Sequence, residues 1–124
     1  MKKILVVFDP DENLRNTMEN ILSDYEFIYR DATSANQMNE KDLENIEIIL
    51  GNTSVDLITR CKDLKWFQLF TAGTDFYPPE LLENILVTNA TGIYGHAISE
   101  YMVGTVFELF KKLHLYRDNQ KKRI

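Results

Sequence analysis

Two patterns of apolar residues alternate along the chain. Short, uninterrupted apolar runs at residues 4–8 and 46–50 are typical of strands that are covered on both faces. Between the runs, apolar residues recur at helical spacing, as Leu14, Met18 and Ile21 do opposite a polar face. Buried strands separated by helical segments predict an α/β fold with a parallel sheet and helices on both faces.

The same patterns place the individual elements. Strands are predicted at residues 4–8, 26–29, 46–50, 66–70 and 85–87. Helices are predicted at residues 14–22, 43–46, 55–61 and 78–82. The last of these short helices begins at Pro78 and Pro79, because proline is favoured in a first helical turn.

The last quarter of the sequence breaks this alternation. From Ala97 onward one long helix is predicted, with an apolar stripe at Ile98, Tyr101, Met102, Val106, Leu109, Phe110 and Leu113 and further apolar residues at Val103 and Phe107. A helix that is apolar over so much of its circumference needs partners on two sides. A single sheet of five strands provides one of them.

Composition narrows the class of protein. The 124 residues are enough for one domain with a core of its own, but too few for two full domains. A net charge of −5 disfavours a nucleic-acid surface, and the lone Cys61 allows neither an internal disulfide nor a metal cluster. With no secretory signal and no apolar stretch long enough to span a membrane, we expect a cytoplasmic protein.

The acidic residues after the first predicted strand suggest a receiver domain, in which they would hold Mg²⁺ beside a phosphorylated aspartate. That aspartate belongs at the end of the third strand, where this chain has Gly51 and Asn52. The lysine expected after the fifth strand is also missing, and Asn89 stands in that region. We therefore disfavour the receiver interpretation and expect Asp9 or Asp11 to cap the first helix.

Two loops at predicted strand ends are the candidate ligand sites, since ligands of open α/β sheets bind beyond the carboxyl ends of the strands. In the loop at residues 71–74, Gly73 would let the backbone approach a ligand and turn its N–H groups toward an anion. The loop at residues 89–96 leads into the N-terminus of the long helix, which also favours negative charge. A plain turn and a plain helix entry remain open for the two loops.

Four segments in one order resemble the D-isomer-specific 2-hydroxyacid dehydrogenases: LKWFQ at 64–68, TAGTD at 71–75, VTNATGIYG at 87–95 and ISEYMVG at 98–104. The resemblance implies a flavodoxin-like, five-stranded parallel substrate-binding domain at residues 1–95. It further implies a linking helix at 96–124 that leads to a Rossmann NAD(P)-binding domain. The whole enzyme would interconvert 2-oxo acids and D-2-hydroxy acids by hydride transfer.

The resemblance also implies the roles of individual residues. The substrate carboxylate would lie on the backbone amides of Ala72, Gly73 and Thr74, while Ile93, Tyr94 and His96 would line the substrate side chain. His96 is not at the place of the family's catalytic histidine, so pocket lining or helix capping is expected of it.

The resemblance also predicts which functional parts of the enzyme are missing from these 124 residues. The family's catalytic Arg, Glu and His would follow Ile124, and the sequence has no G-x-G-x-x-G loop, since Gly92 and Gly95 have the wrong spacing. We expect the 124 residues alone to be inactive and to bind neither NAD, NADP nor a metal.

The alternative is a stand-alone flavodoxin-like binding or interaction module without catalysis. A substrate-binding portion would instead leave an apolar patch on the long helix at Met102, Val103, Val106, Phe107 and Phe110. We expect a second copy to cover that patch in a homodimer.

Overall fold

The computed structural model describes residues 1–123, which form two compact units. The first unit comprises Met1–Ala90 and the second begins at Thr91. The domain boundary expected between residues 95 and 96 concerns a larger protein and stays a prediction.

The first unit is a five-stranded, all-parallel sheet in the order β2-β1-β3-β4-β5. This order is that of a flavodoxin-like fold and confirms the predicted class. Its elements are β1 (Lys2–Val6), α1 (Glu12–Ile21), β2 (Tyr25–Tyr29), α2 (Ala32–Asn36), α3 (Glu40–Leu43), β3 (Ile46–Leu50), α4 (Val55–Arg60), β4 (Trp66–Gln68), α5 (Pro79–Leu82) and β5 (Leu86–Thr88).

The sheet separates two apolar clusters, which explains the unbroken apolar runs. Successive side chains of a strand point to opposite faces, so Leu5 and Ile4 enter different clusters although both are fully buried. The larger cluster joins Leu5, Ile49 and Phe67 to Leu57 of α4. The smaller cluster consists of Ile4, Val6 and Ile48 with partly buried neighbours that include Leu22, Tyr25, Phe27 and Trp66.

Side-chain caps fix where the helices of this unit begin. The Asp11 carboxylate accepts a 2.8 Å hydrogen bond from the backbone N–H of Leu14, so the capping interpretation of the acidic cluster is confirmed. Asp31, Asn39 and Ser54 cap α2, α3 and α4 in the same way. Each cap satisfies donors that the first helical turn leaves unpaired.

Several predicted elements have other bounds in the structure. The strand predicted at 4–8 is β1, which runs from Lys2 to Val6. The helix predicted at 43–46 is α3, which ends at Leu43, because Asn45 adopts a left-handed φ of 64° and turns the chain into β3. The strand predicted at 66–70 ends at Gln68.

The second unit holds α6 (Gly95–Phe110) and α7 (Leu113–Lys122) where one long helix was predicted. Lys112 has a left-handed φ of 55°, which ends the first helix before the second begins. Neither helix has a buried residue among those described. Within residues 1–123, no helix combines the length and the apolar character that crossing a bilayer requires.

Candidate functional site

The candidate site lies where β3, β4 and β5 end. These strands are neighbours and parallel, so the segments that follow them leave the sheet at the same edge. The segment after β4 contains residues 71–74, which we call the 71–74 loop. The segments after β3 and β5 contribute Asn52 and Asn89, and both side chains contact this loop.

All four backbone carbonyls of the 71–74 loop accept hydrogen bonds within the first unit. The donors to the carbonyls of residues 71, 72, 73 and 74 are, in that order, the Ala90 amide at 3.1 Å, the Asn89 side-chain amide at 2.7 Å, the Thr71 hydroxyl at 3.0 Å and the Tyr77 amide at 2.9 Å. The loop conformation is therefore held from three directions: from β5, from itself and from the turn before α5.

The backbone amides of residues 72–74, unlike the carbonyls of the loop, have no hydrogen-bond partner among residues 1–123. Within residues 1–123, the N–H groups of Ala72, Gly73 and Thr74 donate to no protein acceptor. Ala72 and Gly73 are exposed and Thr74 is half-buried, so water or a ligand can reach the loop. Three consecutive unpaired donors on a fixed backbone form a group that can bind an anion such as a carboxylate.

Asn52 is a residue of this site that the sequence analysis did not identify. Its side-chain oxygen accepts a 2.9 Å hydrogen bond from the backbone N–H of Phe70, and its side-chain nitrogen donates to the Thr71 hydroxyl at 3.3 Å. The Thr71 hydroxyl in turn donates to the Gly73 carbonyl. The signal available in the sequence was a polar residue two positions after a buried strand, at the edge where ligands bind.

A second polar network joins the strands that carry the site. The Trp66 indole N–H donates to the Thr88 hydroxyl at 2.7 Å, and this hydroxyl donates to the Gln68 side-chain oxygen at 2.6 Å. Gln68 and Thr88 are register partners at the ends of β4 and β5. The network therefore ties together the two strand ends from which the loop and Asn89 extend.

Gly73 does not use the conformational freedom that glycine has. Gly73 lies outside the left-handed region that favours glycine, and an added Cβ would meet only an Asp75 carboxylate oxygen, at 3.5 Å. The backbone here does not require glycine. By contrast, Gly51 has a φ of 104°, and a Cβ there would lie 3.1 Å from the carbonyl oxygen of Val7.

The other predicted site residues, Ile93, Tyr94 and His96, belong to the second unit and are exposed. α6 begins at Gly95, so His96 lies inside the helix and the capping role considered for it was wrong. The His96 Nε2 atom lies 3.2 Å from a carboxylate oxygen of Glu100, one helical turn away. Glu100 therefore lies in the second turn of α6, close to His96.

Other reactive groups offer no alternative centre in the described part of the chain. Cys61 is buried, and burial raises the pKa of its thiol from 9.0 to about 11, which makes it a poor nucleophile. Among residues 1–123, no group of three or more His, Cys, Asp or Glu side chains could hold a metal ion.

The residues present also do not fit a dinucleotide. A nucleotide fold places its glycine-rich phosphate loop directly after a strand. Here β1 is followed by Val7, Phe8, Asp9 and Pro10, and β3 by a single glycine, Gly51. No chemical step can be derived from these residues through a nicotinamide.

Comparison with known proteins gives matches of structure. No family model matches the sequence. One match is a D-isomer specific 2-hydroxyacid dehydrogenase family protein from Aeromonas salmonicida, with 25% sequence identity and a TM-score of 0.74. The match covers 99% of this chain and 40% of the Aeromonas protein. A second match is Rhodotorula graminis D-mandelate dehydrogenase, with 18% sequence identity and a TM-score of 0.75. It covers 99% of this chain and 41% of the dehydrogenase.

A third match is the NAD-dependent formate dehydrogenase from Staphylococcus aureus in complex with NAD. It matches 97% of this chain over 41% of its own, with 17% identity and a TM-score of 0.64. The chain thus spans about two fifths of the length of these proteins. The structure of this chain therefore matches D-isomer-specific 2-hydroxyacid dehydrogenases over a stretch consistent with one of their domains.

Proposed function

We propose that these residues are the substrate-binding portion of an NAD(P)-dependent oxidoreductase that interconverts 2-oxo acids and D-2-hydroxy acids. The observation that carries the proposal is the 71–74 loop, in which every carbonyl is bonded within the first unit and the amides of Ala72, Gly73 and Thr74 are not. The match to a 2-hydroxyacid dehydrogenase family protein supports the choice of ligand class.

In this proposal the loop orients the substrate. The free N–H groups of Ala72, Gly73 and Thr74 bind the substrate carboxylate, while Asn52 and Asn89 are positioning residues that keep the loop in the conformation it has before the ligand arrives. A fixed carboxylate leaves C2 of the substrate in a defined place, so little orientation is lost when the reaction begins. The resemblance assigns Ile93, Tyr94 and His96 of the second unit to the substrate side chain, and this assignment stays a prediction.

The loop has no cation to neutralise the carboxylate, and Asp75 stands next to Gly73. Affinity for a monoanion is therefore modest and depends on the geometry of the amides. Weak, oriented binding suits a substrate whose remaining contacts come from elsewhere in the enzyme.

The hydride would be supplied or accepted by a nicotinamide held by a Rossmann domain outside these 124 residues. The same domain brings the acid and base for the substrate oxygen. The 124-residue chain alone then binds 2-oxo acids but does not oxidise NADH with them.

The apolar face of α6 has a place in this proposal. Met102, Val103, Val106, Phe107 and Phe110 are all at least half exposed within the second unit. Contiguous exposed apolar patches of this kind mark interaction sites. In this proposal the Rossmann domain covers part of this face, and a second copy covers the remainder in a homodimer.

A titration with matched ligands tests the proposed function. Pyruvate and 2-oxoisocaproate are added to the 124-residue chain in a calorimeter, with the corresponding amides as controls. We expect a dissociation constant of ~1 mM for the acids and one at least about tenfold higher for the amides. The amides lack the charge that the loop recognises. Equal binding of acids and amides would contradict the proposal and favour a module without this substrate.

A further inference from the structure

A second cleft lies at the carboxyl ends of β1 and β2, at the far side of the strand order from β4 and β5. It has a volume of about 520 Å³ and is formed by the segments that follow these two strands together with the first turn of α1. Two arginines, Arg15 and Arg30, line it. The proposed substrate site uses neither of them.

Arg15 is held in the cleft by an aromatic ring. Its guanidinium carbon lies 4.1 Å from the centre of the Tyr29 ring. The ring is itself fixed, because it stacks on Phe27 and its hydroxyl donates a 2.8 Å hydrogen bond to Glu19. A guanidinium that lies over an aromatic ring uses its face for that contact, which leaves the N–H groups at its edge for a ligand.

Arg30 is held by the same residue. One of its terminal nitrogens donates a 2.8 Å hydrogen bond to the backbone carbonyl of Tyr29. Tyr29 therefore anchors two guanidinium groups, one on its ring and one on its carbonyl, beside one cavity. Two positive charges that line one cleft match an anion with more than one charge.

Two carboxylates also line the cleft, and they differ in their hydrogen bonds to the protein. Asp31 is committed to capping α2, since it accepts hydrogen bonds from the amides of Thr33 and Ser34 and from the Ser34 hydroxyl. The Ser34 bonds hold the pKa of Asp31 below its usual value. Asp9 is fully exposed and lies 3.9 Å from Arg15, too far for a direct hydrogen bond.

We propose that this cleft binds the phosphate group of a small organic phosphate. The guanidinium edges of Arg15 and Arg30 bind the phosphate oxygens, which planar, forked donors match better than a point charge does. The volume exceeds the needs of a phosphate alone, and Phe8 offers an apolar wall for the organic part. Asp9 weakens the site, because its carboxylate competes for Arg15.

The test uses phenyl phosphate, inorganic phosphate and acetate, each titrated into the 124-residue chain and followed by amide chemical shifts. We expect shifts at Phe8 and Arg30, with phenyl phosphate binding more tightly than inorganic phosphate and acetate binding least. Arg15→Gln and Arg30→Gln each weaken phenyl phosphate binding at least about tenfold. Arg117→Gln, at an exposed arginine of the second unit, leaves it unchanged.

Removing a negative charge from the cleft gives a variant that should bind phenyl phosphate more tightly. Asp9→Asn removes the competing carboxylate and strengthens phenyl phosphate binding. Binding that survives both Arg15→Gln and Arg30→Gln, or shifts confined to the 71–74 loop, would overturn the proposal. Equal affinity for inorganic and phenyl phosphate would also overturn it, in favour of a site for the free ion. Acetate binding as tight as either would overturn it in favour of a general anion site.

Discussion

The side-chain amide of Asn89 donates a 2.7 Å hydrogen bond to the carbonyl oxygen of Ala72, so the segment after β5 fixes the loop after β4. Asn52 reaches the same loop from the segment after β3. The central strand end is thus held from both of its neighbours. We expect the conformation of the free amides to depend in part on these two side chains.

Removing one of these side chains tests that dependence. We expect Asn89→Ala to lower the affinity for 2-oxo acids about tenfold, because the Ala72 carbonyl loses its donor and the loop samples other conformations. The measurement is the pyruvate titration, with ¹⁵N relaxation of Ala72 and Gly73 as a second readout. Asn84→Ala, at an exposed asparagine of the turn before β5, is the control and keeps both unchanged. An unaltered affinity in Asn89→Ala would show that the loop holds its shape without it.

A pair of glycine substitutions separates folding from binding. Gly51→Ala destabilises the protein by at least ~1 kcal/mol, since its φ of 104° and the Val7 carbonyl 3.1 Å away both oppose a side chain. Gly73→Ala changes the free energy of unfolding by less than ~0.5 kcal/mol, because no backbone strain or clash opposes it. It weakens pyruvate binding, since its methyl group stands beside the amides. Urea unfolding measures the first effect and titration the second; an equally large loss of stability in both variants would contradict this assignment.

The Thr88 hydroxyl bridges two side chains of β4. Thr88→Val keeps the shape of the side chain but leaves the Trp66 indole N–H without its acceptor. We expect a loss of about 1–3 kcal/mol in the free energy of unfolding and a shift in the emission of Trp66. Thr59→Val, which removes an exposed hydroxyl bonded within α4, is the matched control with a smaller loss. A Thr88→Val protein as stable as the control would mean that water replaces the bond without cost.

Alkaline pH weakens the fold through Cys61. Burial raises the pKa of its thiol in the folded protein from 9.0 to about 11, so the folded state holds the proton more tightly than the unfolded state. This contribution to stability is complete below pH 9 and is lost as the pH rises from 9 to about 11. The free energy of unfolding in that range should fall less steeply in Cys61→Ala than in the unsubstituted protein. Parallel pH profiles of the two proteins would rule out a role for the thiol.

The apolar pattern predicted most of the fold because burial on both sheet faces leaves uninterrupted runs. Residues 46–50 were placed correctly for this reason. The pattern failed where backbone conformation decides: Asn45 and Lys112 adopt left-handed conformations that end elements inside otherwise continuous sequence. The pattern did place α1, although Leu14 and Ile21 remain exposed there.

The candidate site was predicted only in part. The 71–74 loop could be found because it follows a buried strand and resembles a family motif. Asn52 could not be assigned a role, because its contacts with Phe70 and Thr71 join positions 18 and 19 residues apart and depend on the strand order. The same holds for Arg15 and Arg30, which Tyr29 brings to one cleft.

The most direct test of the central claim is an amide chemical-shift titration of the ¹⁵N-labelled 124-residue chain with pyruvate. We expect the N–H resonances of Ala72, Gly73 and Thr74 to move downfield together in a saturable way, as donors do when they bind a carboxylate. Pyruvamide should leave all three in place. If pyruvate moves other resonances while these three stay fixed, the 71–74 loop does not bind the substrate carboxylate.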